Sequence, residues 1–177
     1  VLLTGHTGFK GSWLTLWLLE LGAEVTGLAL EPDLVKPPAT PLFKSLGMAE
    51  RHGVNHRLGD ICDREALAAA VAASQPEVVL HLAAQPLVRR SYADPLGTWA
   101  TNVQGSLHLL EALRPLQHPC AVVMVTTDKV YSNQEWDYGY RENDRLGGHD
   151  PYSASKAAAE LAIARWRSSF CGAAAHQ

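Results

Sequence analysis

The 177 residues are enough for one full hydrophobic core, and 47% apolar against 19% charged residues is the balance of an ordinary globular protein, not of a disordered tail or a bilayer span. A formal charge of −3 without blocks of like charge excludes a general nucleic-acid surface, and no apolar stretch is long and unbroken enough to cross a membrane, so neither is an expected partner. Three widely spaced cysteines, Cys62, Cys120 and Cys171, suggest neither a disulfide framework nor a zinc site; buried thiols in a reducing cytoplasm are the plain reading, with no metal expected.

The stretch Val1 to Leu14, VLLTGHTGFKGSWL, passes from a short apolar strand through a glycine turn into an apolar helix that stops near Gly22. Gly5, Gly8 and Gly11 are spaced G-x-x-G-x-x-G. The first lets the chain turn off the strand, the second lets backbone approach a pyrophosphate, and the third lets the helix pack closely on the sheet. The helix start then offers unpaired N–H groups and a positive dipole end to the anion. Gly5, Thr7, Gly8, Phe9, Lys10 and Gly11 are therefore candidate dinucleotide contacts. A Walker A loop is excluded, because Lys10-Gly11-Ser12 lacks the Gly-Lys-Ser/Thr order.

A second strand is expected over Glu24 to Leu30, leading into a proline-rich loop from Glu31 to Pro41. Ala29 or Leu30 stands where dinucleotide folds usually carry an acid for the ribose hydroxyls, and Glu31 is either a displaced ribose contact or a solvated loop residue. The choice between NAD and NADP stays open on these residues. A short helix over Leu42 to Glu50 and a third strand over Val54 to Leu58 follow. Asp60, with Ile61 beside it, either accepts a hydrogen bond from an adenine amine or caps the helix starting near Asp63.

After an alanine-rich helix from Arg64 to Ala73, Glu77 to Leu82 reads as a buried strand. Small residues past its end, Leu82-Ala83-Ala84-Gln85, let a flat cofactor lie against backbone. His81 is either catalytic or, as lone strand histidines more often are, a hydrogen-bonded part of the core. Gln85 to Pro95 reads as a polar loop; Asp94 and Pro95 open a long helix to about Arg114 carrying Asn102, which is either exposed and idle or pins backbone and water near a site.

The strand Ala121 to Val125 runs into Thr126-Thr127-Asp128-Lys129, at the strand end where open α/β sheets bind ligands. A loop from Ser132 to Asp150 precedes a helix from Pro151 to about Ser169, with Tyr152 and Lys156 one turn apart on one face. An ammonium and an oxidised nicotinamide both favour the phenolate, so Tyr152 can act as base, Thr127 can hold the substrate oxygen, and hydride can pass to the ring. Asp128 and Lys129 exceed what alcohol oxidation needs. They suit a second step, in which a proton α to the new ketone is removed and a β-hydroxyl leaves as water; the plain alternative is a salt-bridged strand end.

With Thr4-Gly-His-Thr-Gly-Phe-Lys-Gly-Ser-Trp13, Ala84-Gln-Pro-Leu-Val-Arg89, Val125-Thr-Thr-Asp-Lys-Val-Tyr131 and Gly147-Gly-His-Asp-Pro-Tyr-Ser-Ala-Ser-Lys156 in place, the chain resembles the N-terminal half of the extended short-chain dehydrogenase/reductases, in particular the CDP-glucose 4,6-dehydratases. The resemblance implies an α/β fold with a doubly wound parallel Rossmann sheet. It implies residues 1–177 as the NAD-binding domain of a longer chain, recycled NAD, CDP-glucose as substrate and a homodimer or higher homo-oligomer built on the helices Asp94–Arg114 and Pro151–Ser169. In that family carbon 4 is oxidised, water is eliminated across carbons 5 and 6, and hydride returns to carbon 6. The resemblance gives Tyr152 and Lys156 as the catalytic pair, Thr127 as its hydroxyl and Asp128 as dehydrating acid. Lys129 stands where the dTDP-glucose enzymes place a glutamate. A sugar-nucleotide epimerase or reductase on the same frame, and a binding module that senses NAD(P), are the rival readings; the Asp128-Lys129 pair and Tyr152/Lys156 respectively argue against them.

Overall fold

The computed structural model describes residues 1–32 and 41–171; most of the proline-rich loop and the last six residues lie outside them. The described chain groups into two compact units, one of residues 1–83 with 111–125, the other of residues 84–110 with the chain from Thr126 onward.

The first unit is a five-stranded parallel sheet of β1 (Leu2–Thr4), β2 (Val25–Ala29), β3 (Val54–Leu58), β4 (Val78–His81) and β5 (Ala121–Met124), in the order β3-β2-β1-β4-β5. Leu2 pairs with Thr26 on one side and Val79 on the other, so β1 is central, and Leu2 and Leu3 are fully buried. Helix α1 (Phe9–Glu20) joins β1 to β2, and α3 (Arg64–Ser74) joins β3 to β4 across the centre; right-handed crossovers put them on opposite faces, the expected doubly wound arrangement. The strand order reverses between β1 and β4, which opens a ligand crevice at their carboxyl ends. At the far side, Val122, Val123 and Val125 are 38, 51 and 39% exposed on and just after β5.

The expected Leu42–Glu50 helix is broken into α2 (Leu42–Ser45) and a single 3-10 turn at Met48–Glu50, because Gly47 adopts φ +56° between them. Helix α3 is capped by Asp63, whose carboxylate accepts the Glu65 and Ala66 N–H groups at 2.9 and 3.1 Å. The cysteines are not the buried thiols expected: Cys62 and Cys120 are half-buried and Cys171 is exposed.

In the second unit, the stretch read as a polar loop after Gln85 contains helix α4 (Val88–Ala93). Asp94 then caps α5 (Pro95–Trp99) through Gly97 N–H at 2.9 Å. The helix continues through a wider π turn, Ala100–Gly105, into α6 (Ser106–Leu113). Helix α7 (Pro151–Phe170) starts at Asp150, whose carboxylate accepts from Ser153 N–H, with Pro151 in the first turn where its missing donor costs nothing. It packs against α4, α5, the π turn and a 3-10 turn at Asp128–Val130. No helix of the described residues is long and apolar enough to cross a membrane.

Candidate active site

The glycine turn of the first unit has the shape a pyrophosphate needs. Gly5 sits at φ +76°, donates to Leu28 O at 2.8 Å, and a β-carbon there would stand 2.8 Å from Ala83 N. A β-carbon on Gly11 would stand 2.1 Å from Gly5 O, so any side chain forces the helix off the turn. Gly8 is the N-cap of α1; it has no side chain to cap with, and the first turn carries no acidic residue, leaving the helix start open to an anion. These features fit a dinucleotide phosphate. Lys10 and Phe9 are exposed in that first turn, and Thr7 donates to Leu30 O at 3.0 Å, tying the turn to the end of β2.

At the end of β4, Leu82 N donates to Thr4 O and Ala83 N to Thr4 Oγ1, at 3.1 and 3.3 Å, which holds this small-residue segment beside the glycine turn. Thr4 Oγ1 also lies 2.7 Å from His81 Nδ1, and His81 is 2% exposed, so the strand histidine is core structure. Asp60 does not cap α3, since Asp63 does. Its carboxylate accepts Cys62 N–H at 2.9 Å from an exposed position, with Ile61 buried beside it. Glu31 is exposed and paired with Lys44 at 3.8 Å. The turn also contains a fully buried His6, whose Nε2 lies 2.7 Å from His56 Nδ1 and whose ring occupies the space a side chain at Gly27 would fill. Burial first, and then His56, push its pKa down to about 4.

In the second unit Tyr152 and Lys156 are both buried, at 8 and 5% exposure, on successive turns of α7. Burial pulls the Lys156 ammonium down to about 8 against the opposing pull of Glu160 one turn further on. Glu160 in turn accepts a short hydrogen bond from Thr126 Oγ1. On the 3-10 turn that packs against α7, Thr127 Oγ1 donates to Asp128 Oδ1 at 3.0 Å and accepts from Lys129 N–H at 3.4 Å, while Lys129 Nζ lies 3.5 Å from Asp128 Oδ1. The Thr127 hydroxyl, then Lys129, hold the Asp128 carboxyl below its ordinary range. Asp128 and Lys129 are exposed.

Asn102 is neither exposed nor idle. At 1% exposure inside the π turn, it accepts Gln85 N–H at 2.9 Å and donates to Gln85 O at 3.2 Å and to Ser155 Oγ at 2.9 Å. Ser155 donates to Tyr152 O at 2.7 Å. The Gln85 side chain closes the network on Thr98 and Leu87, and Ala84 immediately precedes this pinned residue. The sequence reading missed Ser155 and Glu160. Ser155 lies three residues after Tyr152, the spacing at which a helical hydroxyl reaches back to a carbonyl, so half of its role had a signal. Its pairing with Asn102, 53 residues away, had none.

The family model of GDP-mannose 4,6 dehydratase matches residues 2–175. The CDP-glucose 4,6-dehydratase of Salmonella typhimurium is 50% identical over 96% of this chain and 46% of its own length. Among solved structures, the Thermus thermophilus UDP-glucose 4-epimerase complexed with NAD is 30% identical with a TM-score of 0.77, over 96% of this chain and 51% of that one. The Streptomyces venezuelae dTDP-glucose 4,6-dehydratase DesIV, solved with NAD bound, is 30% identical with a TM-score of 0.76, over 94 and 51%. The chain thus spans about half the length of the relatives it matches. With its strand order, its glycine turn and a family match over nearly every residue, the chain belongs to the GDP-mannose 4,6-dehydratase family of extended short-chain dehydrogenase/reductases.

Proposed function

We propose that the protein containing this chain is an NAD-dependent CDP-glucose 4,6-dehydratase, forming CDP-4-keto-6-deoxyglucose, with residues 1–177 as its NAD-binding domain. The observation that carries the reading is the Thr127-Asp128-Lys129 group, three interacting polar side chains on the turn that packs against the helix of Tyr152 and Lys156. Identity of 50% to a CDP-glucose enzyme supports the substrate, and the NAD bound in two solved relatives supports the cofactor. A place in deoxysugar biosynthesis of the O-antigen or lipopolysaccharide kind, a cytoplasmic setting and a homodimer or higher homo-oligomer belong to the same proposal. Leu96, Trp99 and Leu161, exposed at 83, 41 and 54% on the long helices, support the oligomer.

When bound, NAD would supply the oxidising chemistry, acceptance of hydride from sugar carbon 4 and its return to carbon 6. Gly5, Thr7, Gly8, Phe9, Lys10 and Gly11 would hold its phosphates, Asp60 and Ile61 its adenosine end, and Leu82, Ala83, Ala84 and Gln85 its ring side, with Asn102 fixing Gln85. Tyr152 takes the carbon 4 hydroxyl proton, and the Lys156 ammonium stabilises its phenolate. Thr127 holds the same oxygen. Once carbon 4 is a ketone, the carbon 5 proton is acidic enough to be taken by a base; Lys129 as the neutral amine, or a base that Lys129 assists, is the candidate. Asp128 gives a proton to the carbon 6 hydroxyl, which departs as water, and the proton held by the base returns to carbon 5 as hydride enters carbon 6.

Asp128 as it stands is an exposed carboxylate, and the Thr127 hydroxyl that donates to it favours that form further. Turning the Thr127 hydroxyl to the sugar removes the larger cause of that lowering, and burial beneath a bound sugar would push the carboxyl up towards carrying a proton. The same observation favours the alternative, an epimerase in which Asp128 stays charged and structural. Mass spectrometry of the full-length protein with NAD and a panel of nucleoside-diphosphate glucoses decides. Loss of one water from CDP-glucose is expected; isomerisation without mass change moves the assignment to the epimerase.

A further inference from the structure

The fully buried side chains of helix α1 are small, Leu14, Leu16, Leu18 and Leu19 are half-buried, and its aromatic residues face outward. Gly11, Ser12 and Thr15 are buried, whereas Phe9, Trp13, Trp17 and Leu21, on and just past the helix, are 73, 51, 66 and 70% exposed. A helix covering a sheet normally does the reverse. Spaced four apart, the large residues form one ridge exposing on the order of 500 Å², as much as the largest patch of a typical monomer, and such patches are often functional. A lipid surface is a poor occupant: interfacial helices are rich in Lys and Arg, and this one carries Lys10 alone against the exposed Glu20 and Glu24.

The ridge has a symmetry of its own. About Thr15, Trp13 mirrors Trp17, Lys10 mirrors Glu20, and Phe9 mirrors Leu21. Lys10 and Glu20 are exposed, and neither forms an ion pair among the described residues. A two-fold contact requires a surface complementary to itself, and an antiparallel pair of such helices meets that requirement. We infer that α1 is a docking surface for a second copy of this chain, run antiparallel, with Trp13 against the partner's Trp17 and Lys10 towards the partner's Glu20. A parallel pairing would set like charges together at both ends. The antiparallel contact buries on the order of 1,000 Å² in total, enough for a specific interface. The ridge shares Phe9 and Lys10 with the proposed phosphate contacts, so its test reads mass and not activity.

Sedimentation velocity on the full-length protein over a concentration range tests it, with circular dichroism as the check on folding. Trp17→Glu and Glu20→Lys are each expected to halve the mass of the assembly or to weaken association at least tenfold. The double exchange Lys10→Glu with Glu20→Lys restores the opposite charges and is expected to recover the mass lost in Glu20→Lys. Should Trp17→Glu fail to fold, the charge series alone decides. An unchanged mass in Glu20→Lys, no recovery in the double exchange, or a folded Trp17→Glu with unchanged mass overturns the inference; the last, with a lowered melting point, assigns the ridge to another segment of the same chain.

Discussion

The Asn102 side chain donates to Ser155 Oγ at 2.9 Å, and through it the π turn is joined to the backbone of the helix that bears Tyr152. The same amide satisfies both backbone groups of Gln85. Asn102→Ala strands three buried partners at once, so a loss of about 2–4 kcal/mol is expected. Ser155→Ala removes one link and is expected to cost about 1 kcal/mol. Urea unfolding of the two variants checks the order.

The glycine turn yields a graded prediction. Gly11→Ala drives a methyl into Gly5 O and is expected to weaken NAD binding at least tenfold, read by calorimetric titration. Gly22, at φ +79° but with nothing within 4 Å of an added methyl, is the control. Gly22→Ala is expected to cost about 1 kcal/mol of stability and leave NAD binding unchanged.

Acid is expected to loosen the first unit through His6. Its folded pKa, about 4, lies below the unfolded value of 6.5. The unfolded chain therefore binds the proton first as pH falls through that window. The associated stability is fully present above pH 6.5 and is lost towards pH 4, to an amount on the order of 3 kcal/mol. Denaturant midpoints measured from pH 8 to 4 should fall in that window, and His6→Gln should flatten this part of the slope.

Glu160 is expected to set the alkaline limit of activity. Lys156 keeps its proton below about pH 8, against the desolvation that favours the neutral amine, and Glu160 is the group pulling the other way. Glu160→Gln removes that pull, so the Lys156 pKa falls further and the ammonium that supports the Tyr152 phenolate is lost at lower pH. A kcat profile over pH whose alkaline limb shifts down in the variant is the expected outcome; an unmoved limb separates Lys156 from that ionisation.

Asp128→Asn keeps the shape of the turn but removes the transferable proton. Oxidation of CDP-glucose should survive while loss of water falls by at least a hundredfold, consistent with general acid catalysis. Spectroscopic detection of NADH accumulating during a single turnover separates the two steps.

What the sequence by itself determined is the local and periodic part of this protein. The opening strand, glycine turn and helix, the Val54–Leu58 strand, the start of α7 at Pro151 and the one-turn spacing of Tyr152 and Lys156 all depend on neighbours in the chain, and spacing encodes such neighbours directly. Only the tertiary structure decided which polar residues are buried and whom they meet. Asn102 became a core link instead of an idle surface residue because Gln85 and Ser155, 17 and 53 residues away, arrive beside it. His6 found His56 across 50 residues, Asp63 displaced Asp60 as the cap, and α4 formed within an apparently polar loop. Burial and partnership are properties of packed neighbours, and a buried polar group is stable only when distant parts of the chain supply its hydrogen bonds.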